Sequence, residues 1–494
     1  MKPRGVVASP AAIVASRFEP TLASPASHRP SPVSGPRSHV VVIGGGFAGL
    51  AAAVDLASRG IKVTLLEARP RLGGRAYSFR DDETGAVVDN GQHAMMGCYH
   101  HTLAFLERIG AAGDVFRQAN LCVEMKRGDG RGGAIAAPRL PSPLHVTSAI
   151  GRYGLLTRGE RARALVAGLR LMAMRRRGDA RLHHSTVEQV LVGLGQSDNA
   201  RTCFWNPVAI ATLNELPERA AAAPFVEVLA RAFFGRRSDS QFVFARVGLS
   251  DFYTTAAKRF IEQHGGTEEP HAAVIEVECR DDQVAAVRLR DGRRFAASAF
   301  ISAVPPRVLQ ALMPDLIGAG DFPSSPIVSV HLWFDRPVTQ ATFFGCVGTT
   351  TQFVFNRNVL TSGAAAQPGA WNQERRVSNG RRSGQYLSAV ISAAHDIVEW
   401  DTARIADTVV GDLRRLLLPA REASVVRQVI VKEKHATISL TPEVERRRPV
   451  ARTAFANFFL AGDWTQTELP ATIESAVLSG NRSAAFVAAW LEAQ

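Results

Sequence analysis

Six consecutive residues, Gly44-Gly45-Gly46-Phe47-Ala48-Gly49, carry the first recognisable chemistry in the chain. Gly44 permits a tight turn, Gly46 removes the Cβ that would hold the backbone away from a pyrophosphate, and Gly49 lets a helix pack closely. With the free N–H groups of a helix opening around Phe47 and Ala48, this pattern holds phosphate through backbone donors and the positive helix end. Glu67 follows at the spacing at which an acid hydrogen-bonds ribose hydroxyls. Ala68 and Arg69 come next, then Arg71-Leu72-Gly73-Gly74-Arg75, whose glycine pair and cations add donors where an extended, doubly charged pyrophosphate would lie. The chemistry is that of holding a dinucleotide, and a nicotinamide site generally ends at the acid.

Particular elements must position these groups. His39–Ile43 is a short β-branched run of buried-strand type, the Ala-rich stretch Leu50–Ser58 suits a helix, and Lys62–Leu66 is a second strand ending at Glu67. Far downstream, Phe458–Asp463 reads as a strand ending in an acid, and Pro470–Gly480 as a helix with proline in its first turn. Between them lie Ala273-Val274-Ile275, an Asp291-Gly292 hairpin and a strand at Phe300–Val304. The expected fold class is α/β: a discontinuous Rossmann-type domain over 38–110, 265–310 and 440–494, and a mixed α+β substrate domain over 111–264 and 311–439. Thr157–Gly195 carries helical periodicity, whereas Ile327–Trp333 and Val425–Val431 alternate as strands. Ser362–Ser383 reads as a long surface loop, and the Ser-, Pro- and Arg-rich residues 1–37 as a disordered tail.

Composition sets outer limits. With 494 residues, 46% hydrophobic and 21% charged, the chain can build two or three packed units. The 58 Lys+Arg against 45 Asp+Glu leave +13, which suits nucleic acid, anionic membrane or plain solubility without choosing among them. Five singly placed cysteines form no metal or disulfide spacing, so a reducing, cytoplasmic setting and no metal are expected. No apolar run reaches the roughly 18 residues of a membrane span.

The run Arg71–Arg75, taken with Gly44–Gly49 and Gly462-Asp463-Trp464, resembles the signatures of the amine oxidase and phytoene desaturase superfamily of flavoproteins. That resemblance implies FAD. It implies that Asp463 holds the ribityl and phosphate region, that the N–H groups of Thr472 and Ile473 face the flavin ring, and that the Val274 backbone contacts adenine. Such a helix N-terminus would stabilise charge on a reduced flavin. Val88-Asp89-Asn90-Gly91-Gln92-His93, Phe204-Trp205-Asn206-Pro207 and Leu469-Pro470-Ala471-Thr472-Ile473-Glu474 are similar to segments of one branch, the hydroxysqualene dehydroxylases. Gln92 joins the cofactor-binding set on this basis. Glu468 and Ser475 depart from the branch pattern, which has glycine there, and Glu468 could bring a titratable group close to the flavin.

The branch implies replacement of the hydroxyl of hydroxysqualene by hydride from reduced flavin, through an allylic cation, giving squalene for hopanoid synthesis. A hydrocarbon slot is then needed, with Phe204, Trp205, Leu213, Phe242, Phe244 and Phe252 as candidates, and one acid near the leaving oxygen. His93 ranks first as that acid, followed by His435 and Tyr253, while Asp89 suits a structural cap. The alternatives are a phytoene-desaturase-like dehydrogenation and an amine oxidase, the latter disfavoured by only five tyrosines for an aromatic cage. A greasy substrate and the basic, amphipathic segment Glu160–Arg177 point to peripheral attachment on the inner face of the membrane, with no nucleic acid partner. Gly265-Gly266 and Gly292 lack the setting of a second nucleotide fold, so an electron donor such as NAD(P)H is expected to reach the single flavin site directly.

Overall fold

The computed structural model describes residues 38–317, 321–361 and 384–494, so the expected tail at 1–37 and loop at Ser362–Ser383 lie outside the described residues. A parallel sheet organises the first half of the architecture, in the order Thr267–Glu269, Lys62–Leu66, His39–Ile43, Ala299–Ser302, Phe458–Leu460. The run HVVVI is apolar almost throughout because both faces of this sheet are covered. Val40 and Val42 pack with the helices Phe47–Ser58 and Ile473–Glu492, and Val41 and Ile43 with the antiparallel sheet Val274–Arg280, Gln283–Leu289, Arg294–Ala296. The two helices meet so closely that a Cβ on Gly480 would lie 2.2 Å from the Ala48 carbonyl oxygen.

The second half is built on a seven-stranded sheet in the order Val425–Ile438, Ser324–Phe334, Gln385–Ser392, Phe353–Asn356, Phe343–Val347, Cys122–Arg127, Gly132–Ala136. Strand alternation gives its faces different work. Val328, Val330, Leu332, Leu387 and Ala389 pack against the helix Thr402–Leu416. Ser329, His331, Ser388, Val390, Phe353 and Phe355 project to the other side, in lateral register. Helices from Leu144 to Phe234 complete this half, and the stretch Thr157–Gly195 forms Arg158–Arg176, Arg181–His184 and Val187–Gly193.

A π-helical turn, Arg201–Trp205, runs into the helix Asn206–Leu213. Pro207 has no N–H to give the carbonyl four residues back, and the Cys203 oxygen accepts the Tyr153 hydroxyl at 2.8 Å.

Candidate functional site

The glycine turn joins strand to helix as expected. Gly44 has φ +105°, and an added Cβ on Gly49 would lie 1.8 Å from the Gly44 oxygen. No side chain caps the helix Phe47–Ser58 and its first turn contains no acid, so its N–H donors suit an anion. The second glycine pair comes to the same place: a Cβ on Gly74 would stand 3.1 Å from Gly46 Cα. Glu67 ties the two loops together, accepting from the Gly45 N–H at 2.7 Å and the Arg69 N–H at 2.9 Å. Arg69 donates to the Gly74 carbonyl at 3.0 Å; Ala68 is exposed. The Ala272 N–H bonds to the Glu67 carbonyl at 2.8 Å, which brings the strand beginning at Val274 to the same acid. A backbone surface stripped of Cβ atoms, beside unclaimed helix donors, fits the pyrophosphate of FAD.

Arg75 and Asp463, 388 residues apart, form an ion pair at 2.5 Å. Thr472 caps the helix Ile473–Glu492 by accepting from the Ser475 N–H. Two organisers of this region carry no local sequence signal. Arg448, fully buried, donates to the carbonyls of Leu469, Asp463 and Thr465 and so shapes the loop before the helix. Glu474 accepts from the His101 N–H, the Thr102 N–H and the Thr102 hydroxyl at 2.9, 2.9 and 2.7 Å, capping the helix His100–Arg108. Glu468 is exposed with φ +67°, a left-handed conformation that favours glycine, and its side chain lies at the surface.

A cavity of about 290 Å³ lies between the helical segment and the seven-stranded sheet. Phe204, Trp205 and Phe242 line it as expected. Leu213, Phe244 and Phe252 do not: they are core residues, Phe252 on the parallel-sheet side. The wall instead takes Phe343, Phe353 and Phe355 from the sheet, residues that the sequence offered no local reason to choose. Among the described residues no charged side chain lines it. Gln92, Ala94 and Met96 do so, at alternate positions, whereas His93 does not.

The candidate acids sit in different surroundings. Burial pushes the His93 imidazole down to about 4, which favours the uncharged ring at neutral pH. Tyr253 is buried, stacks on Phe47 with ring centroids 3.8 Å apart, and donates to the carbonyls of Gly73 and Ala76, which makes it a brace for the second glycine loop. Burial raises its pKa. His435 is exposed and bonds to Ser324 Oγ at 2.9 Å. Asp89 pairs with buried Arg357 at 3.0 Å and accepts from the Leu249 N–H; burial pushes its carboxyl up and Arg357 opposes that.

Comparison with known proteins agrees with this geometry. The chain is 27% identical over 466 residues to hydroxysqualene dehydroxylase of Sinorhizobium fredii, covering 90% of this chain and 97% of that one. It is 24% identical to 15-cis-phytoene desaturase of Glycine max, covering 90% and 78%. A solved structure of putrescine oxidase shares the fold at TM-score 0.64 and 18% identity, covering 92% and 99%. A family model described as flavin containing amine oxidoreductase matches residues 47–488. With two glycine loops meeting over an uncapped helix, and with that match over residues 47–488, the chain belongs to the flavin containing amine oxidoreductase family and is an FAD-dependent oxidoreductase.

Proposed function

We propose that the protein reduces the allylic alcohol hydroxysqualene to squalene, as a step towards hopanoid-type triterpenoids. The observation that carries this reading is the cavity: largely apolar walls without a charged group, with the amide of Gln92 among the few polar groups set into them. When bound and reduced, FAD would supply the hydride that takes the place of the hydroxyl, which leaves with one proton as water. The protein's own tasks are to hold a long apolar chain, to exclude water that would recapture a cation, and to orient the one polar group of the substrate. Relatives that carry the dehydroxylase name over nearly their full length support the same choice. A polyene desaturase would use similar walls but has no hydroxyl for a polar partner to meet; a cationic amine would find no carboxylate.

The substrate class makes membrane contact part of the proposal. Leu169 and Phe234 line the cavity and are 61% and 37% exposed, and Val166 adds an exposed apolar side chain on the same helix as Leu169. Exposed Arg163, Arg170, Arg176 and Arg177 stand on that helix too, which suits an anionic leaflet on the cytoplasmic side. Arg175 is already engaged by Glu227 at 2.6 Å. No described helix is long and apolar enough to cross a membrane. For the electron donor, NAD(P)H or another reductant would reach the flavin directly. Gly265-Gly266 leads from a helix into the strand Thr267–Glu269, the reverse of a nucleotide turn.

Purified FAD-loaded protein should convert hydroxysqualene to squalene under a reductant, and leave phytoene unchanged under an oxidant. Desaturation of phytoene with no action on hydroxysqualene would replace this reading by the desaturase one.

A further inference from the structure

The amide of Gln92 is held in one orientation. Arg357 Nη1 donates to Gln92 Oε1 at 2.6 Å, and because a guanidinium can only donate, the acceptor end of the amide is fixed against it. Arg357 is itself buried and fixed by Asp89, whose carboxylate lies 3.0 Å from Nη2. The other end of the amide, Nε2, has no hydrogen-bond partner among the described residues, and Gln92 lines the cavity. On the sheet face beside it, Ser329 Oγ lies 3.5 Å from where a Cβ on Gly91 would be, and Ser329 Oγ, Ser388 Oγ and His331 Nε2 are buried without partners. Those three residues share a face and lateral register with cavity-lining Val390 and Phe355. Polar groups are therefore gathered at one edge of a largely hydrocarbon cavity, whose wall also carries Tyr99, Thr147, Thr212 and Ser392, and the Gln92 amide is held there by a buried ion pair.

We infer that Gln92 is the residue that distinguishes a hydroxylated polyisoprenoid from a plain hydrocarbon, donating from Nε2 to the hydroxyl oxygen, and that Arg357 and Asp89 are its positioning residues. This rests on the dehydroxylase reading for the identity of the alcohol. The pairing of one donor with one oxygen does not depend on it: a fixed amide N–H in an apolar wall favours a ligand with an acceptor over the same chain without one. Gln92 also stands in the segment expected to approach the cofactor, so the test separates the two roles.

In Gln92→Leu, FAD content and flavin absorbance should match the parent. Hydroxysqualene should bind roughly 10- to 100-fold more weakly, squalene with unchanged affinity, and kcat/KM for the alcohol should fall with binding. Arg357→Lys keeps the charge opposite Asp89 but cannot fork to both partners; it should show the same loss of preference in smaller degree, about tenfold. Loss of FAD from Gln92→Leu, or an undiminished preference for alcohol over hydrocarbon, would overturn the inference. If the parent protein prefers hydroxysqualene over squalene in binding yet does not turn it over, the dehydroxylase reading fails while the assignment of Gln92 stands. If the parent shows no such preference, the assignment fails.

Discussion

Gly46 illustrates how one missing carbon decides a function. A Cβ there would lie 3.9 Å from Gly74 Cα, an ordinary contact that the fold tolerates, but it would project between the two glycine loops. Gly46→Ala should keep the melting temperature of the apoprotein and weaken FAD binding at least tenfold, about 1.4 kcal/mol, in a fluorescence titration; unchanged affinity would place the pyrophosphate elsewhere. His93 shows the converse, a residue type that suits proton transfer in surroundings that disfavour its charged form. Its pKa falls from 6.5 unfolded to about 4 folded. Between those values the unfolded chain takes up a proton that the folded chain refuses, so stability drops as pH falls through this window. His93→Gln should soften that acid-side loss of melting temperature and keep FAD and turnover within about threefold. Loss of most turnover would restore His93 as the proton donor. Residue identity and spacing made the glycines legible, because their requirement is local. The Arg357 and Glu474 partnerships join positions 265 and 373 apart and leave no mark on their neighbours.

At the scale of elements, period and composition carried most of the information. The strands His39–Ile43 and Lys62–Leu66 announce themselves by apolar runs, interrupted within only by Thr64, since both faces of their sheet are covered. The cavity wall was harder to read. Phe244 and Phe355 are alike in sequence, yet one is core and the other lines the cavity, a difference set by how the small sheet Ala94–Met96, Phe242–Ala245, Val115–Arg117 packs on the large one. The helix Arg158–Arg176 is two-sided in the same sense: Ala164, Ala167, Leu171 and Met172 are buried, while Val166 and Leu169 face outward among arginines. Replacing Arg170, Arg176 and Arg177 together by Ser should cut flotation with anionic liposomes at least tenfold, at about 1 kcal/mol per cation. Unaltered flotation would show that this helix is not the anchor.

Taken whole, the molecule brings segments distant in sequence together at its candidate flavin site. Gly44 to Arg75 meets Asp463 to Ile473 through the Arg75–Asp463 pair, and the seven-stranded sheet presents an apolar floor with one polar edge. This arrangement accounts for FAD and for a greasy substrate, and the direction of electron flow is the claim on which the proposed function turns. A dehydroxylase consumes one reduced flavin for each hydroxyl removed. Anaerobic single-turnover measures that directly: pre-reduced enzyme mixed with hydroxysqualene should regain the oxidised flavin spectrum as squalene appears in equal amount. A flavin that stays reduced with hydroxysqualene, while oxidised enzyme becomes reduced on meeting a polyene, would contradict it.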